Sequence, residues 1–221
     1  MERKTKAKKQ FIFGVITLAL FVLYTMSLTF VDIQPIGPQG SSVAYAEMNK
    51  AVHELFGVNM MLYHITDWAG VAAILIAIGF AVLGLTQWIQ RRNILKVDSS
   101  ILVLGVFYLL VFGTYAFFEF YVINRRPVLI NGILEASYPS STTMLAMCVM
   151  PTAMMQFHRL IKNHKIRNTV NIVCGLFTAF MVIGRLVCGV HWFTDILGGV
   201  IFSVSVILIY CAVNNFIDSK K

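Results

Sequence analysis

A chain of 221 residues has the length of one domain, but 58% hydrophobic residues against 13% charged ones exclude an ordinary soluble domain. The formal net charge of +8 does not point to nucleic acid, because the basic residues punctuate long apolar runs and form no continuous basic face. The composition is that of an integral membrane protein.

The apolar runs predict an all-α fold with six transmembrane helices, at 11–31, 69–90, 100–122, 141–158, 169–188 and 195–214. Each is near the ~20 residues needed to cross ~30 Å of hydrocarbon. Residues 1–221 read as a single membrane domain: a basic tail over 1–10, an outer interfacial segment over 32–68 and a helical core over 69–214. Of the 18 basic residues, 14 fall on one side, in the N-terminal tail, around Arg91, Arg92 and Lys96, between Arg159 and Arg167, and at Lys220 and Lys221. The positive-inside rule therefore predicts a multi-pass cell-membrane protein with both termini cytoplasmic. Lys50, Arg125, Arg126 and Arg185 are left on the outer side, and their departure from the rule suggests that they bind something anionic.

The first run imitates a secretory signal, with Ala44-Tyr45-Ala46 as the small-residue site, but it is too long for a signal core and the site lies well beyond its end. It is expected to stay as a span. After Pro35, Gly37, Pro38 and Gly40, the stretch from Val43 to Ile65 mixes apolar residues with His53, Glu54, Asn59 and His64, as helices lying in the outer interface do. Lone histidines there read as structural. The run over 69–90, with Gly70, Gly79 and Gly84, is built for close helix packing.

The fourth run follows a loop that holds Asn124-Arg125-Arg126-Pro127 and Tyr138-Pro139-Ser140-Ser141-Thr142-Thr143. A proline followed by hydroxyl residues and an apolar run is a helix start, and a helix N-terminus with free amides suits a phosphate. Further on, Gly184 to Asp195 places Arg185, His191 and Asp195 within twelve residues between two apolar runs. Ionisable groups at membrane depth usually mark function. An arginine grips phosphate oxygens in pairs, and a carboxylate on one imidazole nitrogen leaves the other a nucleophile or base. Simple snorkelling of Arg185 and an interfacial His191 are the bland alternative. His158 to Asn168 reads as a cytoplasmic basic turn. Cys148, Cys174, Cys188 and Cys211 lie in predicted spans without zinc spacing and read as reduced thiols.

Arg126-Pro127, Pro139-Ser140, and Arg185 followed by His191 and Asp195 resemble the three signature blocks of the type 2 phosphatidic acid phosphatase superfamily, six-helix membrane enzymes that hydrolyse lipid phosphates. The resemblance covers about 50–214. It implies that His191 is a nucleophile forming a phosphohistidine and that Asp195 holds its ring. It also implies that Arg126, Arg185 and Ser140 with neighbouring amides bind the phosphoryl oxygens. Arg125, Ser141 and Thr142 join the expected phosphate-binding set. No metal or other cofactor is expected, and the expected partners are membrane lipids with phosphate or pyrophosphate headgroups at the outer face, with no nucleic acid.

Three departures stand beside these matches. Glu119 takes the place of the usual lysine of the first block, Thr142 takes that of the general-acid histidine of the second, and Gly184 replaces a serine before Arg185. Without an acid, expelling an alkoxide is harder than expelling a phosphate, so a lipid diphosphate of the undecaprenyl pyrophosphate kind is expected to be split faster than phosphatidate. Glu135 and Tyr138 are the nearby candidates for a replacement acid, whereas His158 lies about 24 Å along a helix from Thr142. A lipid phosphotransferase using the same histidine, and a non-hydrolytic lipid-phosphate binder or transporter, are the alternative functions.

Overall fold

The computed structural model describes residues 2–220, so the cytoplasmic placement of Lys221 falls outside the described residues. The helices are α1 (Glu2–Ser27), α2 (Ala46–Phe56), α3 (Met60–Arg91), α4 (Ser99–Phe120), α5 (Ser141–Leu160), α6 (His164–Val187) and α7 (Phe193–Asp218), with two short 3-10 turns at Pro38–Gly40 and Ile94–Lys96. Among the described residues there is no strand, only isolated bridges in loops. The protein is all-α and membrane-embedded, as its apolar runs require.

The six long helices correspond to the six expected runs. Five of them, α1, α3, α4, α6 and α7, are long and apolar enough to cross a membrane. The exception is α5, whose Thr143, Thr152 and Gln156 are buried. It packs on α3, α4, α6 and α7, so its polar groups find protein partners in place of lipid: Thr152 bonds back to Cys148, and Gln156 donates to the Tyr210 hydroxyl at 2.7 Å.

Two boundaries differ most from the expectation: residues 2–10, read as a basic tail, form the first turns of α1, and α3 starts well before the expected span. Residues 60–68, read as part of an interfacial segment, form the first turns of α3. Asn59 starts that helix by accepting from the Leu62 amide at 2.9 Å, and Tyr63 and Thr66 are buried. Only α2 remains as a separate helix between the first two long ones. Its Asn49 is fully buried and exchanges hydrogen bonds with Thr194 at the start of α7.

An aromatic cluster of Phe21, Phe118, Tyr138 and Phe202 joins α1, α4 and α7 to the α4–α5 loop, with Phe118 and Tyr138 edge to face at 5.4 Å. The outward surface carries many large apolar side chains, among them Leu109, Phe112 and Leu176. That is what lipid-facing helices need.

Candidate active site

Three segments meet at one end of the bundle: the α4–α5 loop, the end of α6 with the turn into α7, and the first turns of α3. The α4–α5 loop folds back on itself. The Arg126 amide donates to the Glu135 carbonyl at 3.1 Å, the Ser137 amide donates to that of Asn124 at 2.9 Å, and Arg125 bridges Ala136 between them. Side chains alternate across such an extended pair. Asn124, Arg126 and Ser137 point inward and are buried, whereas Arg125 is exposed and donates to the Leu134 carbonyl.

The α6–α7 turn is shaped by Gly189, whose φ is +68°, and a Cβ there would lie 1.9 Å from the Gly57 carbonyl oxygen. The Cys188 carbonyl accepts from the Asn59 amide, fastening this turn to the start of α3. Gly184 serves a different close approach. A Cβ on it would lie 2.7 Å from Thr66 Cγ2, so its lack of a side chain lets α3 bring the Thr66 hydroxyl to Arg185 Nη1 at 3.3 Å.

His191 sits at the centre, 4% exposed. Its Nε2 faces Arg185 Nη2 at 3.2 Å and Arg126 Nη1 at 3.4 Å. Guanidinium groups only donate, so Nε2 must accept and the ring proton belongs on Nδ1. Nδ1 lies 3.2 Å from the Ser137 carbonyl and 3.0 Å from the Ser137 hydroxyl. Burial, and then the positive charges of Arg126 and Arg185, hold the ring's pKa well below the ordinary imidazole value. The result is a neutral imidazole with its lone pair turned toward two cations.

Asp195 reaches that ring less directly than its spacing suggests. Its Oδ2 is 4.0 Å from Nδ1, and the Ser137 hydroxyl, which donates to Oδ2, stands beside both. The carboxylate also accepts from Asn124 Nδ2 at 3.1 Å and from the Trp192 amide at 2.9 Å, which closes the first turn of α7. Trp192 Nε1 in turn donates to the Arg125 carbonyl at 2.7 Å, a further tie between the α4–α5 loop and the turn into α7.

The arginines are buried with little compensation. Arg185 is 1% exposed and Arg126 8%. Both lie against the Tyr63 ring, at 4.9 and 6.0 Å from its centroid. Each leaves its Nε without a hydrogen-bond partner, even though Glu135 lies within ion-pair distance of Arg126 Nε at 3.0 Å, because that contact is poorly aligned for a hydrogen bond. Buried donors of this kind call for an acceptor.

The expected residues thus divide. His191, Asp195, Arg126 and Arg185 converge, and Ser141 lines the small pocket beside His191 together with Arg126, Ser137, Tyr115 and Glu119. Ser140 is adjacent but occupied: its amide donates to the Asp195 carbonyl, and its hydroxyl accepts from Thr143. Arg125 does not converge, for the alternation given above. Thr142 turns toward α3, where its methyl would sit 3.7 Å from a Cβ on Gly70. Of the two candidate replacement acids, Tyr138 shares its hydroxyl with Thr25 at 2.6 Å and burial raises its pKa, while Glu135 lies against Arg126. His53 packs on the Trp192 ring at 5.4 Å, a structural place. Ser137, Asn124, Tyr63 and Thr66 were not singled out from the sequence. They are common residue types outside the recognised blocks, and only the folding back of the loop and the approach of α3 bring them to the histidine.

The chain matches the PAP2 superfamily over residues 107–218, just over half its length and including every convergent charged residue of the site. The chain belongs to that superfamily. Its fold is similar to the crystal structure of the first transmembrane PAP2 type phosphatidylglycerolphosphate phosphatase from Bacillus subtilis, with a TM-score of 0.61 and 19% identity, over 94% of this chain and 97% of that one. Comparison with curated proteins gives no match. Membership and fold together support a multi-pass membrane phosphatase acting on lipid phosphates.

Proposed function

We propose that this protein hydrolyses lipid phosphate or diphosphate headgroups at the outer membrane face through a phosphohistidine on His191. The observation that carries this reading is the approach of both Arg126 and Arg185 to the unprotonated Nε2 of a buried imidazole, with an unpartnered Nε on each guanidinium. A phosphoryl group placed there would have its oxygens met by two cations and by the first-turn amides of α5 beside Ser141.

In the first step the Nε2 lone pair forms a bond to phosphorus while the bond from phosphorus to the lipid oxygen breaks. The departing oxygen takes the electron pair and is neutralised by a proton from water. The positive charge left on the ring is met at Nδ1 by the Ser137 carbonyl and, through the Ser137 hydroxyl, by Asp195. Water then cleaves the nitrogen–phosphorus bond, releasing phosphate and restoring the neutral ring.

The outer-face assignment rests on charge. The site lies at the end of the bundle opposite Arg91, Arg159, Lys165 and the first turns of α1, where the basic residues concentrate. A phosphotransferase uses the same first step, with an acceptor other than water in the second. The test is phosphate release by purified protein from undecaprenyl pyrophosphate and from phosphatidate, in wild type and His191→Ala, with a chelator present. Release from at least one lipid that vanishes in the variant is expected. Release that survives in His191→Ala would overturn the phosphohistidine, and labelled phosphoryl groups appearing on an alcohol instead of in phosphate would select the transferase.

A further inference from the structure

On the reading that this site holds a phosphoryl group, we propose that Glu119 makes it selective for phosphorylated amino alcohols, in which an ammonium group lies close to the scissile phosphate. Charge around the site is layered. Two guanidiniums form a buried floor around His191, and three carboxylates surround it nearer the solvent. Asp67 lies 3.9 Å from Arg185 with its side chain 56% exposed, and Glu135 lies 3.0 Å from Arg126 with its side chain 40% exposed. Glu119, at the end of α4, is exposed and lines the same pocket as Arg126 and His191.

The three carboxylates are not equivalent. Asp67 and Glu135 each face an arginine, whereas Glu119 makes no ion pair among the described residues and interacts with Tyr115 one turn earlier. Its charge is therefore open to a ligand. The Nε of Arg185, buried and without a hydrogen-bond partner, supplies the independent sign that the floor awaits an anion. A site with an anion-seeking floor and an acidic rim matches a zwitterion whose phosphate enters first.

Leaving-group chemistry points the same way. The place of the second block's histidine is held by Thr142, which faces α3 and offers no ring to protonate the departing oxygen. An ammonium group on the neighbouring carbons withdraws electron density and makes the alkoxide easier to expel without such an acid. Selection by Glu119 and the absence of that histidine then favour the same substrates.

The test uses the full-length protein in detergent micelles with four probes: a long-chain 2-aminoalkyl phosphate, its N-acetyl derivative, and the non-hydrolysable phosphonate of each. In wild type the amine is expected to be preferred about tenfold in kcat/KM, and its phosphonate about tenfold in Kd, the size of one charge-assisted contact. In Glu119→Gln the two probes of each pair should come within about twofold, the amine weakening and the N-acetyl compound improving as the repulsive charge disappears. Glu119→Asp should restore part of the preference. Equal affinities in wild type, or a preference undiminished in Glu119→Gln, would overturn the proposal. Phosphonates that bind with the expected preference while neither phosphate is hydrolysed would instead sink the hydrolase reading and leave the selectivity standing.

Discussion

Arginines at the two ends of the bundle meet opposite fates. At the end carrying the α5–α6 turn, Arg159 and Asp218 pair at 2.7 Å and Arg91 and Asp98 at 2.8 Å, with arginine side chains 34% and 39% exposed. Exposed pairs of this kind contribute about 0–1 kcal/mol and ask little of their surroundings. At the other end Arg185 and Arg126 are buried beside a neutral histidine, each with an unsatisfied Nε. Their pairing with Glu135, Asp67 and the Tyr63 ring offsets that burial only in part, since desolvating a guanidinium without full hydrogen bonding costs several kcal/mol. On the proposed function, the charges at the first end orient and solvate the protein, whereas those at the second are held in place by the rest of the chain for a phosphoryl ligand.

The strongest way to break this contrast is to remove one arginine from each end. Arg185→Ala is expected to lower phosphate release by at least about a hundredfold, the scale of losing one preorganised charge donor, while Arg159→Ala and Arg125→Ala should each stay within about twofold of wild type. Steady-state rates on one lipid phosphate decide it, and equal losses at Arg185 and Arg125 would dissolve the distinction between inward and outward residues of the loop.

A smaller effect is expected at Ser137. Ser137→Ala removes the hydroxyl that stands between His191 Nδ1 and Asp195 but keeps the carbonyl that accepts from Nδ1. A loss of about tenfold in kcat with little change in KM is expected, as for a group that positions a nucleophile. An unchanged kcat would mean that Asp195 supports the ring without help from the hydroxyl.

The smallest effect sharpens the contrast through pH. Because burial and two arginines hold the His191 pKa below its ordinary value, the unfolded chain binds a proton there that the native protein does not. Its contribution is fully present above about pH 6.5 and is lost as pH falls, by up to about 1.4 kcal/mol per unit. Thermal unfolding between pH 7.5 and 5.5 should therefore show a steeper acid loss in wild type than in His191→Gln, and identical slopes would remove the buried neutral ring from the account.

How much of this was legible beforehand depends on the residue. His191, Asp195 and Arg185 share one short stretch, so local spacing was enough to find them, whereas Arg126 stands out only through the resemblance of Arg126-Pro127 to a signature block. Arg125 and Arg126 are indistinguishable by composition, and only the pairing of 125 with 136 turns one inward and the other out. Glu119 was visible as a departure from a pattern, but its place beside His191 is a matter of how α4 meets the loop.

The sequence by itself determined the membrane class, the helical fold, the approximate spans and the four charged residues that converge, because hydrophobic length, charge bias and short-range spacing are local properties. Tertiary structure decided which nitrogen of His191 is free, that Ser137 stands between it and Asp195, that α3 supplies Thr66 and Tyr63, and that Arg125 and Thr142 face elsewhere. Those depend on distances between segments as far apart as α3 and the α6–α7 turn, and they are set by packing, which no run of neighbouring residues records.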